Sequence, residues 1–231
     1  MKTFALLAVA CVAFSGRALS QTIITQTKSF SDVPDFSHSL VFDKYDGNLS
    51  DISKITISYE LVINGGRFGV DNDAVNPPPS KIEASFGASL TARSSDVKLL
   101  DSGYNSIIDE VRAVNVASFS GLTGNDGDAS DQYDAGGTDW AELVGAEITK
   151  SGSGDISSTF FSQYVGNNTF TITANSSQIG SLSYNSGIST TTTPVNAKGY
   201  ITVTYEIVPE PSTTALSGLA AMALILRRRR R

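Results

Sequence analysis

The sequence is poor in the residues that carry most enzyme chemistry. It holds one cysteine, one histidine and one tryptophan in 231 residues. The cysteine, Cys11, lies in an apolar N-terminal run. The chain beyond it therefore has no thiol nucleophile, no thiolate metal ligand and no disulfide. The histidine, His38, sits in an alternating stretch, where a lone imidazole reads as structural. No G-x-S-x-G, Walker-type phosphate loop or H-E-x-x-H pattern occurs. Long hydrophobic runs are missing as well: no uncharged apolar stretch reaches the roughly 20 residues of a membrane-spanning helix. Between residues 21 and 208 no long apolar stripe of period 3.6 appears, which argues against a helical architecture. Paired carboxylates of the glycosidase type stay open, because their pairing is spatial and invisible in sequence. Catalysis is not expected.

Basic residues are scarce where they would matter for nucleic acid. Of 17 lysines and arginines, Lys2, Arg17 and Arg227 to Arg231 lie at the two ends, whereas all 23 acidic residues lie beyond residue 20. The body is strongly acidic and repels phosphate backbones, so nucleic-acid binding is excluded as a reading.

What is present divides the chain into three. Residues 1–20 have the form of a secretory signal peptide: Met1-Lys2 is the charged start, Phe4 to Phe14 the apolar centre, and Ala18-Leu19-Ser20 a small-x-small cleavage site. Residues 21–207 form one body rich in Thr, Ser and Val, with turn signals every 8–15 residues or so. Ile52 to Ile63, ISKITISYELVI, places Ile55, Ile57, Tyr59 and Leu61 on one face at period two. Strands are also predicted over Thr22–Phe30, Phe36–Phe42, Lys81–Arg93, Val97–Leu100, Ile107–Phe119, Phe160-Phe161, Phe170–Thr173 and Tyr200–Val208, with loops at 72–79 and 121–138. Trp140–Ile148 reads as a strand or as one turn of helix. The predicted fold class is all-β, an antiparallel β-sandwich of jelly-roll-like form, flanked by the signal peptide and a C-terminal apolar helix.

Residues 208–231 read as an address. Pro209, Glu210 and Pro211 make an extended hinge that cannot enter a helix or a central strand. An apolar run to Leu226 follows, and Arg227, Arg228, Arg229, Arg230 and Arg231 end the sequence. A plain tail anchor with a chance Pro-Glu-Pro is the bland alternative. The three-part pattern resembles the PEP-CTERM sorting signal of bacterial surface proteins. That resemblance implies an exosortase as processing partner, transient inner-membrane anchoring through the apolar helix, and delivery to the cell surface or the outside. The arginines would stay cytoplasmic and leave the body on the far side. In the body, Phe42-Asp43-Lys44-Tyr45-Asp46-Gly47-Asn48-Leu49-Ser50, with Phe119-Ser120-Gly121 and Tyr133-Asp134-Ala135-Gly136-Gly137-Thr138, is similar to the choice-of-anchor β-domains of E type. This second resemblance implies a surface protein and no activity.

One cluster suggests a ligand. Asn125 to Asp131, followed by Asp134 and Asp139, is acidic and glycine-rich, and Asp126, Asp128 and Asp131 are the candidate metal residues, for calcium. The EF-hand spacing fails, and a solvated turn-rich loop is the alternative reading. Three Asn-x-Ser/Thr matches are assigned no role. The expected function is that of an exported structural or adhesive protein of the surface or extracellular matrix, with exopolysaccharide as a further partner. The alternatives are a lectin-like carbohydrate-binding module using Trp140 as a platform, and a polysaccharide hydrolase.

Overall fold

The computed structural model describes residues 21–74, 81–125, 133–183 and 187–208. The predicted signal peptide, the Pro209–Pro211 hinge, the apolar helix, the terminal arginines and Asp126, Asp128 and Asp131 lie outside them. The strands are β1 (Thr22–Asp32), β2 (Phe36–Asp43), β3 (Ile52–Asn64), β4 (Arg67–Asn72), β5 (Ile82–Arg93), β6 (Val111–Phe119), β7 (Trp140–Val144), β8 (Ile148–Asp155), β9 (Thr169–Ser183), β10 (Ile188–Thr193) and β11 (Asn196–Ile207). All their pairings are antiparallel. One layer has the order β1-β11-β3-β8, the facing layer β2-β9-β5-β6, and a third, shorter sheet β10-β4-β7. This is an antiparallel β-sandwich.

The core follows from strand alternation. β3 turns Ile55, Ile57, Leu61 and Ile63 inward, and its neighbour β11 turns Ile201, Val203, Tyr205 and Ile207 inward. Side chains alternate between the faces of a strand, so one apolar stripe per strand closes the space between the layers. β5 is buried almost throughout, as expected of an inner strand between β9 and β6. Phe42 stacks on Phe170 with 5.6 Å between ring centroids, and Tyr164 meets the same ring edge-on at 5.2 Å.

The short sheet continues the first layer. Ile63 pairs with Ala197 and Arg67 with Thr193, so β3–β4 and β10–β11 keep one register across Gly65-Gly66 and Pro194-Val195. Ile63 also pairs with Ile148, and Arg67 with Val144, so β7–β8 keeps register too. Three neighbouring strands thus bend along one crease. Gly65 and Gly66 sit there at φ 67° and 76°, backbone states that favour residues without a Cβ. Pro194 removes a ladder donor on the opposing strand. Beyond the crease, Phe68 of β4 stacks 6.3 Å from Phe86 of β5.

The strands predicted over Ile52–Ile63, Lys81–Arg93 and Tyr200–Val208 are present as β3, β5 and β11. Two readings are corrected and one is resolved. Phe160-Phe161 belongs to a 3₁₀ helix, Ser158–Tyr164, that seats Phe161 and Tyr164 in the core. Val97–Leu100 makes only an isolated bridge, Leu100 to Ser106, beside a tight turn. Trp140–Ile148 contains β7 and the start of β8, divided by the crease.

Candidate functional site

The far end of the creased sheet gathers carboxylates. β4 runs into Asp71 and Asn72, and Asp73 follows. Asp71 lies opposite Ser189 of β10 on one side and Trp140 of β7 on the other. Asp71 is 0% exposed, Asp73 8% and Asp139 1%. One oxygen of each β4-end aspartate is satisfied. Asp71 Oδ2 accepts the Asp134 backbone N–H at 2.7 Å, and Asp73 Oδ2 accepts the Ser189 hydroxyl at 2.6 Å. Among the described residues Asp71 Oδ1 and Asp73 Oδ1 are buried without a hydrogen-bond partner. Burial pushes the Asp71 carboxyl above its ordinary value. The charges of Asp73, Asp139 and Asp134 add to that rise, against the lowering effect of the Asp134 N–H.

The surroundings of this cluster are tied down. Asn72 N–H donates to the Asp139 carbonyl at 3.1 Å, its side-chain amide donates to the Thr123 carbonyl, and its amide oxygen accepts the Ala74 N–H. Thr123 and Thr138 bond through both backbone and hydroxyl groups. The Tyr133 ring occupies the space a Cβ on Gly69 would need, and its hydroxyl accepts the Trp140 indole N–H at 2.5 Å. These contacts fix both ends of the acidic 121–138 stretch against β4 and β7.

Of the acidic residues predicted from sequence, the structure brings Asp134 and Asp139 together with Asp71 and Asp73. Asp71 and Asp73 were missed. Their alternate spacing at the end of a strand, Asp-x-Asp, is a signal that could have found them. Among the described residues, no group of three or more His, Cys, Asp or Glu side chains is set to hold a metal ion. Trp140, the expected sugar platform, is only half-exposed and its N–H is spent on Tyr133. His38 packs edge-on against Phe36 at 4.8 Å and lies 3.7 Å from Asp32, a structural setting.

A second feature is an open cavity of about 550 Å³ lined by Asp43, Lys44, Tyr45, Asp46, Asn167 and Asn168, among others. Backbone bonds across it hold its walls together. Tyr45 N–H donates to the Tyr164 carbonyl at 2.9 Å, Gly166 N–H to the Tyr45 carbonyl at 2.9 Å, and Lys44 N–H to the Asn168 carbonyl at 3.0 Å. The cavity reaches Ile24 and Tyr205, close to where β1 begins and β11 ends.

Residues 208–231 match the PEP-CTERM protein-sorting motif. The match does not reach the body, and none of the comparisons supports the expected likeness to the choice-of-anchor domains. No curated relative matches the chain. Among solved structures, that of infectious bursal disease virus Gx strain has 14% identity and a TM-score of 0.23, covering 91% of this chain and 48% of the viral one. The infectious bursal disease virus VP2 subviral particle gives 12% and 0.14, covering 91% and 50%. The chain thus spans about half the length of these viral chains, and TM-scores this low establish no shared fold. Among the described residues no helix is long and apolar enough to cross a membrane. The sorting motif implies an exported surface protein that is membrane-anchored before processing by an exosortase.

Proposed function

We propose that the chain is an exported structural or adhesive protein of the cell surface or extracellular matrix, with a β-sandwich body presented by its sorting tail. The supporting observation is the pairing of the strands that flank the body. Thr22 of β1 lies opposite Ile207 of β11, so the segments bearing the predicted signal peptide and the sorting motif leave the sandwich from the same end. A body attached by that end leaves the creased sheet and the buried aspartates far from the attachment. The reading assigns no reaction to the chain. Anchoring through the apolar run and orientation by Arg227 to Arg231 complete it.

The test is fractionation of the producing cells into membrane, outer surface and medium. Replacing Glu210-Pro211 by Ala-Ala should leave the body folded and hold the protein at the membrane at its unprocessed mass. If that variant reaches the same compartment at the same mature mass as wild type, the tail is only an anchor and the proposal fails. A second reading, a carbohydrate-binding module, is favoured by the cavity at Tyr45. It combines an aromatic ring with the amides of Asn167 and Asn168, groups suited to sugar hydroxyls. Titration with the producing cell's exopolysaccharide tests it. Binding that survives Asn167→Ala with Asn168→Ala would remove the cavity from the account.

A further inference from the structure

We propose that Asp71 and Asp73 are ligands of a calcium ion held at the end of β4. The two residues are separated by one position at the end of a strand, and both contact groups on the same neighbouring strand. Ser189 lies opposite Asp71 in the register and donates its hydroxyl to Asp73. Each carboxylate has one oxygen committed and one buried oxygen left over. Asp71 Oδ1 and Asp73 Oδ1 have no hydrogen-bond partner among the described residues, on side chains that are more than nine-tenths buried. No described lysine, arginine or histidine forms an ion pair with either of them. Two buried, unpaired carboxylate oxygens are costly in a protein interior unless a cation or a proton compensates them. A proton shared between the two carboxylates neutralises only one of their two charges. A hard divalent cation neutralises both.

The chemistry favours calcium over a transition metal. The ligands are carboxylates, and among the described residues no imidazole or thiolate is grouped with them to suit softer ions. Calcium takes six to eight oxygens in loose geometry and fills vacant positions with water, so two protein carboxylates suffice for a weak site. Few-carboxylate sites of this kind fall in the range of about 10⁻⁴–10⁻³ M typical of extracellular modules. This assignment differs from the acidic loop expected from sequence, and it stands on residues of β4.

The test uses the full chain. Its melting temperature is measured in millimolar calcium and in chelator, for wild type, Asp71→Asn and Asp73→Asn. Wild type should melt several degrees higher in calcium, and each variant should lose that difference while melting at or above wild type in chelator. Terbium, a luminescent substitute for calcium, gives an independent reading on unmutated protein. Trp140, the only tryptophan, lies opposite Asp71. Excitation of Trp140 should therefore produce sensitised terbium emission that excess calcium abolishes. A wild-type melt identical in calcium and chelator, with no calcium-competed emission, overturns the proposal and leaves a shared proton as the compensation. A calcium response that persists in both variants and vanishes in Asp126→Asn with Asp128→Asn also overturns it, and moves the ion to the loop.

Discussion

Tyr164 and Tyr205 are enclosed phenols whose hydroxyls both find backbone acceptors. Tyr164 donates to the Lys98 carbonyl at 2.7 Å and Tyr205 to the Asp43 carbonyl at 3.3 Å. Burial pushes both pKa values well above the ordinary tyrosine value, with Tyr205 adding to the shift of Tyr164 and Asp43 to that of Tyr205. A group whose folded pKa is raised contributes stability in full below its unfolded value of about 10 and loses it as pH rises beyond. The native protein should therefore weaken steeply above about pH 10. At neutral pH Tyr164→Phe should cost about 0.5–1.5 kcal/mol, the net worth of the lost hydrogen bond to the Lys98 carbonyl. Above pH 10 the gap to wild type should narrow, since the variant has no phenol to ionise. Denaturant midpoints of both proteins at neutral and alkaline pH check this, and a gap that stays constant would show that Tyr164 titrates freely in the folded state. Neither tyrosine was singled out by a motif. Tyr205 was visible as part of an alternating strand. Tyr164 was not, because it sits in a 3₁₀ turn that has no period-two pattern.

At the scale of elements, the crease is the feature that sequence periodicity conceals. β4 reads Arg67-Phe68-Gly69-Val70-Asp71-Asn72 and is buried over five consecutive positions, so it shows no alternation. β10 reads Ile188-Ser189-Thr190-Thr191-Thr192-Thr193 and is mostly exposed, so it shows no apolar face. Both escaped the strand prediction for these opposite reasons, while β3, β5 and β11 carried a clear pattern. What pairs them is register inherited through the bend, which is a property of three strands together. The bend needs small residues where backbones approach. A Cβ on Gly145 would run into the Gly65 carbonyl oxygen, and Gly145 N–H donates to the Gly66 carbonyl at 3.0 Å. Gly145→Ala should therefore destabilise the protein by about 1–3 kcal/mol, the cost of forcing an atom into a packed site. Gly180, on β9, has open space where its Cβ would stand. Gly180→Ala should be neutral or stabilising by up to about 1 kcal/mol, because it restricts the unfolded chain. Equal effects of the two substitutions in a denaturant titration would count against a close-packed crease.

For the whole molecule, the position of β11 decides where the chain can be cut. It is an inner strand, paired with β1 on one side and β3 on the other. It buries Ile201, Val203, Tyr205 and Ile207. Each buried side chain of this size contributes about 1.5–3 kcal/mol, against a typical net stability of about 5–15 kcal/mol. The strand ends at Ile207, and Val208 N–H makes one last backbone bond to the Asp51 carbonyl at 2.8 Å. The matched sorting motif begins at residue 208, directly after the last paired residue. A cut at or after Val208 leaves both ladders of β11 whole, whereas a cut a few residues earlier removes its inward side chains one by one. A chain of residues 21–208 should accordingly give a β-rich circular dichroism spectrum and one cooperative melt, at the temperature at which the body of the full chain melts. A chain of residues 21–195, which lacks β11, should not fold, because β1 and β3 lose their common neighbour. If the shorter chain melts cooperatively, the inner-strand account of β11 is wrong. If the 21–208 chain is disordered, the body depends on the segments beyond it. The same reasoning constrains the processed protein: its mass, measured on material recovered from the cell surface, should include Ile207. A mature form ending before Tyr205 would require a rearranged sheet.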